Sequence, residues 1–331
     1  MYFQLHRRRR GDFTSLINFF PLLRIRIGKV TGGSPLIELG AYTQLLVSYT
    51  ILGGVYGLTA LGLSLIWGVM KAVNWAHGDF LMLGMYVAFW TVTLLGIDPY
   101  IAAIVSFILL GLLGMMTHII AIEPVVEKPG GHEATLLTTL GISVILESLA
   151  LILWSPSPRS YYNSYKNTFL EVLGVRTSVA EAIAFMISII SIVAVDQFLR
   201  RVRIGKAIRA VSQNPIGARV VGIDVPRIRL MTFGLGVALA GMAGVLVSTF
   251  YPNIRPLAGS VWDIASYVVV IFAGLGTIYG VIFAGILIGI LEGLGTIIFS
   301  NAFRQILVYA VFLMILLLRP QGLFGKALRR V

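Results

Sequence analysis

The sequence predicts an all-α, polytopic integral membrane protein, a bundle of about eight to ten membrane helices, some of them broken or re-entrant. Three observations carry this. Of 331 residues 57% are hydrophobic and only 12% charged, at a mean hydropathy of +0.90, whereas water-facing domains carry about 25% charged residues. Long apolar stretches recur along almost the whole chain. Finally, 19 of the 26 Lys and Arg fall in positions 1–35, 200–229 and 319–331, flanking apolar runs as cytoplasmic segments do.

Residues 1–35, with Arg7 to Arg10, Arg24, Arg26 and Lys29, read as a basic N-terminal arm on the inner leaflet. The apolar run Leu16–Leu23 is broken by Pro21, and no small-residue cleavage site follows. A single transmembrane domain, 36–318, comes next, with apolar segments near 36–70, 78–95, 100–122, 134–154, 179–199, 230–250, 262–299 and 304–318. The first and the 262–299 stretch are too long for one ordinary crossing. Breaks are expected at Gly53, Gly54 and Gly57 in one, and at Gly274, Gly276 and Gly280 in the other. The 155–178 segment, with Pro156, Pro158 and three tyrosines, reads as outside, and the basic 200–229 loop as inside. Residues 319–331 form an inside tail.

The net charge of +12 does not mark a nucleic-acid binder, because the basic loops lack interleaved aromatics. The absence of cysteine excludes disulfide scaffolds and thiolate chemistry. The four histidines form no H-x-x-H or H-x-x-x-H pair, so no metal site is expected. No G-x-x-x-x-G-K-[ST] occurs, so the chain is not expected to cradle ATP.

Three groups of residues carry information. The first is Asn74-Trp75-Ala76-His77-Gly78-Asp79-Phe80. Polar groups so dense between apolar runs line a cavity or form an ordinary capped turn, and a helix start at membrane depth would offer free N–H groups to an anion. Asn74 and Asp79 are the candidate caps. The second is the loop containing Gly205, Lys206, Arg209, Asn214, Pro215, Arg219 and Gly222, read as a helix over 206–213 stopped before Pro215 and a second short helix ending near Gly222. It suits either docking of a soluble partner or plain topology-determining charge. The third is the isolated acids Glu147 and Glu292, candidates for a pathway or for interhelical bonds. Asp196 and Asp263, near span ends, are expected at the interface. Gly234, Gly236, Gly241 and Gly244 give one helix a small-residue packing face.

Asn74–Phe80, the 205–223 loop, Phe233–Val245, Gly274–Gly280 and Arg319–Gly325 together resemble, in order, the motifs of the LivH-type permease subunits of branched-chain amino acid ABC importers. The resemblance covers about 36–326. It implies a non-catalytic translocation subunit for leucine, isoleucine or valine, paired with a LivM-like permease. Two cytoplasmic ATPase subunits, which hold the ATP and Mg, and an extracytoplasmic solute-binding protein would complete the assembly, in the plasma membrane. No cofactor is implied in this chain. The 205–222 loop would contact the ATPases, and Asn74, His77, Gly78, Asp79, Glu147 and Glu292 are the candidate pathway residues. Trp75, Tyr279, Glu147 and the N-terminal arm depart from the pattern. A same-architecture permease for urea, another amino acid or a sugar, and a stand-alone secondary transporter or channel, are the alternatives.

Overall fold

The computed structural model describes residues 35–172, 175–251, 253–299, 303–319 and 321–325. The basic arm and the end of the tail lie outside them. The helices are α1 (Pro35–Met70), α2 (His77–Leu95), α3 (Pro99–Thr117), α4 (Gly131–Trp154), α5 (Val179–Arg201), α6 (Arg203–Gln213), α7 (Pro215–Val220), α8 (Val225–Phe250), α9 (Ala258–Ala273), α10 (Ile278–Ile298) and α11 (Arg304–Leu318). A π-helical turn, His118–Ile122, extends α3. Among the described residues seven helices are long and apolar enough to cross a membrane, and α9 and α11 are shorter apolar helices. That falls within the expected range.

Helix α8 is the hub. Its small-residue stripe lets neighbours approach backbone to backbone, as interhelical contact in lipid requires. A Cβ added at Gly84 of α2 would strike the Gly241 backbone, and one at Gly236 would strike Ile66 of α1. Phe80 of α2 meets Phe233 edge-on, with ring centroids 6.5 Å apart.

One expectation fails. Residues 36–70 do not break at Gly53, Gly54 or Gly57; α1 is continuous. The glycines serve packing instead: Gly53 and Gly57 lie against Gly285 and Val281 of the antiparallel α10, where a Cβ on Gly53 would collide with the Gly285 carbonyl at 2.6 Å. The second long stretch does break, at Gly274 and Gly276, whereas Gly280 lies within α10. Helix α9 ends at Gly274 (φ 95°), Gly276 is also left-handed (φ 79°), and α10 starts after Thr277. There the backbone N–H groups of Leu323 and Phe324 donate to Phe272 O (2.8 Å) and Ala273 O (3.1 Å). Two sequence motifs distant along the chain are thereby joined.

The 155–178 segment carries a short antiparallel hairpin, β1 (Phe169–Val172) with β2 (Val175–Ser178). It lies at the end of the bundle opposite the basic loop. Tyr165 Oη donates to Asp98 Oδ2 (2.9 Å), and Arg159 pairs through its backbone with Ile254. Asp98 also caps α3 by accepting from Tyr100 N at 2.9 Å, and Ser178 caps α5.

Candidate functional site

Helix α2 begins inside the bundle. His77 approaches Gly62 of α1, whose Cβ position is 3.0 Å from the His77 ring and also abuts the Gly236 carbonyl of α8. Gly62 lies eight residues before the end of α1, and Gly236 eleven residues into α8. At 1.5 Å per residue, α2 starts about 12–17 Å from the basic end of the bundle. The chain leaves α1 at that end and returns through the non-helical residues 71–76.

Helix α9 starts at the same depth from the opposite side, after residues 251–257. A Cβ on Gly78 would collide with the Gly259 carbonyl and with Asp263 N (2.7 Å), and one on Gly259 would collide with Asp79. Two helix N-termini therefore meet backbone to backbone, and only glycine fits at either contact. Non-helical backbone at membrane depth is tolerated where protein buries it or a cavity receives it.

Asp263 is the missing cap. It accepts from Gly78 N at 2.6 Å, so the carboxylate of one interrupted helix sits on the positive end of the other. This corrects its expected interfacial position: Asp263 is 4% exposed. It also corrects the expected capping. Ala76 occupies the N-cap position of α2 and makes no side-chain cap. Asn74 makes only a local turn, its Oδ1 accepting from Ala76 N at 3.3 Å, and Asp79 does not cap.

The remaining polar groups of the motif are buried. His77 Nε2 donates to the Thr59 carbonyl (2.9 Å), and Tyr267 Oη donates to Asn74 O (2.5 Å). Trp75 stacks on Tyr267 with centroids 5.5 Å apart, and its backbone N–H donates to Thr139 Oγ1 on α4 (3.1 Å). Asn74 Nδ2, His77 Nδ1 and both oxygens of Asp79 are buried without a hydrogen-bond partner. Asp79 faces Ser143 and Glu147 of α4 without closing a bond of ordinary geometry to either. Unsatisfied groups at this density are uncommon in protein interiors. The structure thus brings together Asn74, His77, Gly78, Asp79 and, at the edge, Glu147. It adds Thr59, Thr139, Gly259, Asp263 and Tyr267, which the sequence reading did not select.

Glu292 lies apart. On α10 it accepts from Tyr56 Oη (3.1 Å) and is 3.8 Å from Arg304 Nε, an interhelical tie among α1, α10 and α11. Asp196 is 2.9 Å from Arg200 Nε and accepts from Tyr279 Oη at 2.6 Å.

The 200–229 loop forms the two expected short helices. Asn214 caps α7 by accepting from Gly217 N (2.9 Å), with Pro215 at the first helical position. Gly222 closes the turn with φ 84°. Gly205 lets α6 fold against the end of α5, its Cβ position lying 2.6 Å from Leu199 Cα. Ile208 and Val211 are buried, and Lys206 and Arg209 are exposed. The loop is anchored through Glu127, beyond the end of α3, which accepts from both Arg219 of α7 and Arg229 in the first turns of α8.

Arg229 foremost, then Arg219, holds the Glu127 carboxyl below the usual carboxylate range. A depressed folded-state value means the contact is present above the unfolded value and lost as pH falls through the lowered one. Backbone amide exchange in residues 216–220, corrected for its intrinsic pH dependence, is therefore expected to keep a constant protection from pH 8 down to about 4.3, and to accelerate relative to the free peptide only below it. Acceleration near pH 6 would contradict the anchor.

The comparisons follow this geometry. Residues 45–316 match the family described as branched-chain amino acid transport system / permease component. The chain is 26% identical over 299 residues to the branched-chain amino acid permease protein BraD of Pseudomonas aeruginosa, covering 87% of this chain and 97% of that one. It is 30% identical over 292 residues to the probable permease protein LivH of Methanocaldococcus jannaschii, covering 83% and 90%. To the LivM permease protein of Escherichia coli it is 24% identical over 308 residues, covering 81% and 67%. A match over that much of a multi-pass helical chain settles its kinship: the protein belongs to the family of branched-chain amino acid transport system permease components.

Proposed function

We propose that this chain is the translocation subunit of an ATP-driven importer and moves a branched-chain amino acid, leucine, isoleucine or valine, across the plasma membrane. The observation that carries the reading is the meeting of two interrupted helices, α2 and α9, around buried polar groups whose hydrogen-bonding capacity the protein itself leaves unused. A zwitterionic solute needs both signs at membrane depth. The Asp79 carboxylate suits its ammonium group, and the N-terminus of α9, which no side chain caps, suits its carboxylate. Among the described residues no group of His, Asp or Glu could hold a metal ion, so the acids at this site are read as solute or proton partners.

The energy comes from elsewhere. Two ATPase subunits dock on α6 and α7, a second permease of the LivM kind closes the pathway, and a solute-binding protein delivers the solute from outside. ATP and Mg belong to those ATPases. The likeness to LivM as well as LivH relatives supports a pair of related permeases. Alternating access requires a contact that differs between the two states, and the Glu127 anchor ties the docking helices to α3 and α8.

The test is uptake of radiolabelled leucine into vesicles containing the reconstituted complex, with and without ATP. ATP-dependent uptake, competed by isoleucine and valine but not by urea or a sugar, is the expected result. Uphill uptake by this chain alone, without nucleotide, would establish a secondary transporter instead.

A further inference from the structure

A site outside the pathway runs along one face of α8. Its side chains Ile228, Met231, Leu235, Leu239 and Met242 follow the three- and four-residue steps that keep them on a single face. They line two adjoining depressions. The one at the basic end, of about 360 Å³, lies between α6 and the start of α8 and is flanked by Arg203 and Arg227. The other, of about 440 Å³, continues along α8 between α3 and α5 and is lined by Ile104, Phe107 and Phe198. Ile228 to Met242 spans about 21 Å at the helical rise, enough for a headgroup and one leaflet of hydrocarbon, itself about 15 Å deep.

Charge is confined to one end. Neither Arg203 nor Arg227 is in an ion pair among the described residues. Asp224 lies in the same mouth, but its carboxylate caps α8 by accepting from Arg227 N at 3.1 Å. The mouth therefore keeps a net positive charge and two guanidinium forks suited to phosphate oxygens. In the second depression the only polar side chain is Ser191, whose hydroxyl is turned onto Met242 Sδ (4.0 Å). Two cationic forks at the inner interface, above an apolar channel of leaflet depth, are complementary to a single class of molecule.

We infer that this face of α8 binds an anionic phospholipid of the inner leaflet, its phosphate between Arg203 and Arg227 and one acyl chain along the α3–α5 groove. Basic pockets between membrane helices on the cytoplasmic side hold such headgroups. The inference is independent of the transported solute. Because α6 forms one wall of the mouth, a bound lipid would brace the start of the 203–220 segment against α8.

The test is native mass spectrometry of the delipidated full chain in detergent, with dioleoyl phosphatidylglycerol or dioleoyl phosphatidylcholine added at equal concentration. Preferential retention of phosphatidylglycerol by about fivefold or more is expected, from the attraction of basic residues to anionic lipid. The preference should fall below about twofold in R203Q/R227Q and persist in R209Q/R219Q, which removes the same charge outside the mouth. Ala194→Phe, which narrows the groove, should lower retention of both lipids. Glycerol 3-phosphate should not displace the lipid; displacement would show a headgroup site without a chain groove and overturn the inference. So would equal retention of the two lipids, or an equal loss of preference in both double variants. Displacement of bound lipid by the ATPase subunits would assign the mouth to a protein partner instead.

Discussion

Asp79→Asn is expected to lower leucine uptake by about 100-fold, because the proposed contact of its carboxylate with the ammonium group of the solute would be lost, while leaving insertion and thermal stability intact or slightly improved. Transport and stability diverge because of where the carboxylate sits. Asp79 is fully buried, and neither oxygen has a hydrogen-bond partner. A buried charge with no protein partner costs stability, so neutralising it relieves the fold. Its neighbour provides the contrast. Asp263 accepts from Gly78 N at 2.6 Å and caps α2 from another helix. Asp263→Ala should cost about 1 kcal/mol, the usual loss on removing a cap, whereas Asp263→Asn keeps an acceptor oxygen and should cost less. Uptake and unfolding temperature, measured on the same preparations, separate the two acids. If Asp79→Asn destabilised the protein while retaining uptake, Asp79 would be a structural residue and the pathway would lie elsewhere.

The features that could be read in the sequence are those with a local physical cause. Apolar length and the placement of Arg and Lys predict a helical membrane bundle. The Gly274–Gly280 break and the Pro215 boundary follow from backbone constraints that act within a few residues. The Asn74–Asp79 segment stands out because polar groups between apolar runs are costly. What could not be read depends on partners distant in sequence. Gly53 and Gly57 look like breaks, yet they are close-packing positions, and only the presence of Gly285 and Val281 opposite them distinguishes the two roles. Asp263 reads as interfacial because it sits near a span end. In the structure it lies in the first turns of α9 and is buried beside α2. A usable signal was present: an acid within the first turns of a helix, preceded by glycine and an irregular segment, occurs at both Asp79 and Asp263. Glu292, like Asp79, reads as a candidate pathway residue. Its partners, Tyr56 and Arg304, make it a tie between helices, and no local pattern announces that.

The same reliance on distant partners makes Glu127 the residue whose change should most disturb coupling. In the sequence it is one of several acids between two spans and carries no pattern of its own. In the structure it is the shared acceptor for Arg219 on α7 and Arg229 on α8, while Arg229 is 7% exposed. Glu127→Lys would place three cations together and leave a buried guanidinium without its acceptor. Loss of a charge-assisted bond costs about 1.5–3 kcal/mol, and the half-exposed Glu127 side chain places the expected cost at the lower end of that range. The consequence should fall on the orientation of α6 and α7, the helices proposed to dock the ATPases, rather than on the transmembrane core, because the anchor lies beyond α3 and joins only the loop and the start of α8. Leucine uptake by the reconstituted complex is expected to fall about tenfold, the equivalent of about 1.4 kcal/mol, with ATP hydrolysis continuing but no longer stimulated by loaded binding protein. Glu127→Gln, which keeps an acceptor oxygen without the charge, should retain part of the stimulation. Reversing Arg209 and Arg219 together should uncouple in the same sense, since it breaks the Arg219–Glu127 contact as well as changing the proposed docking surface. Full stimulation of hydrolysis in Glu127→Lys would mean that the docking helices hold their position without this anchor, and that force reaches the membrane helices through the covalent ends of the loop, Arg201 and Val225.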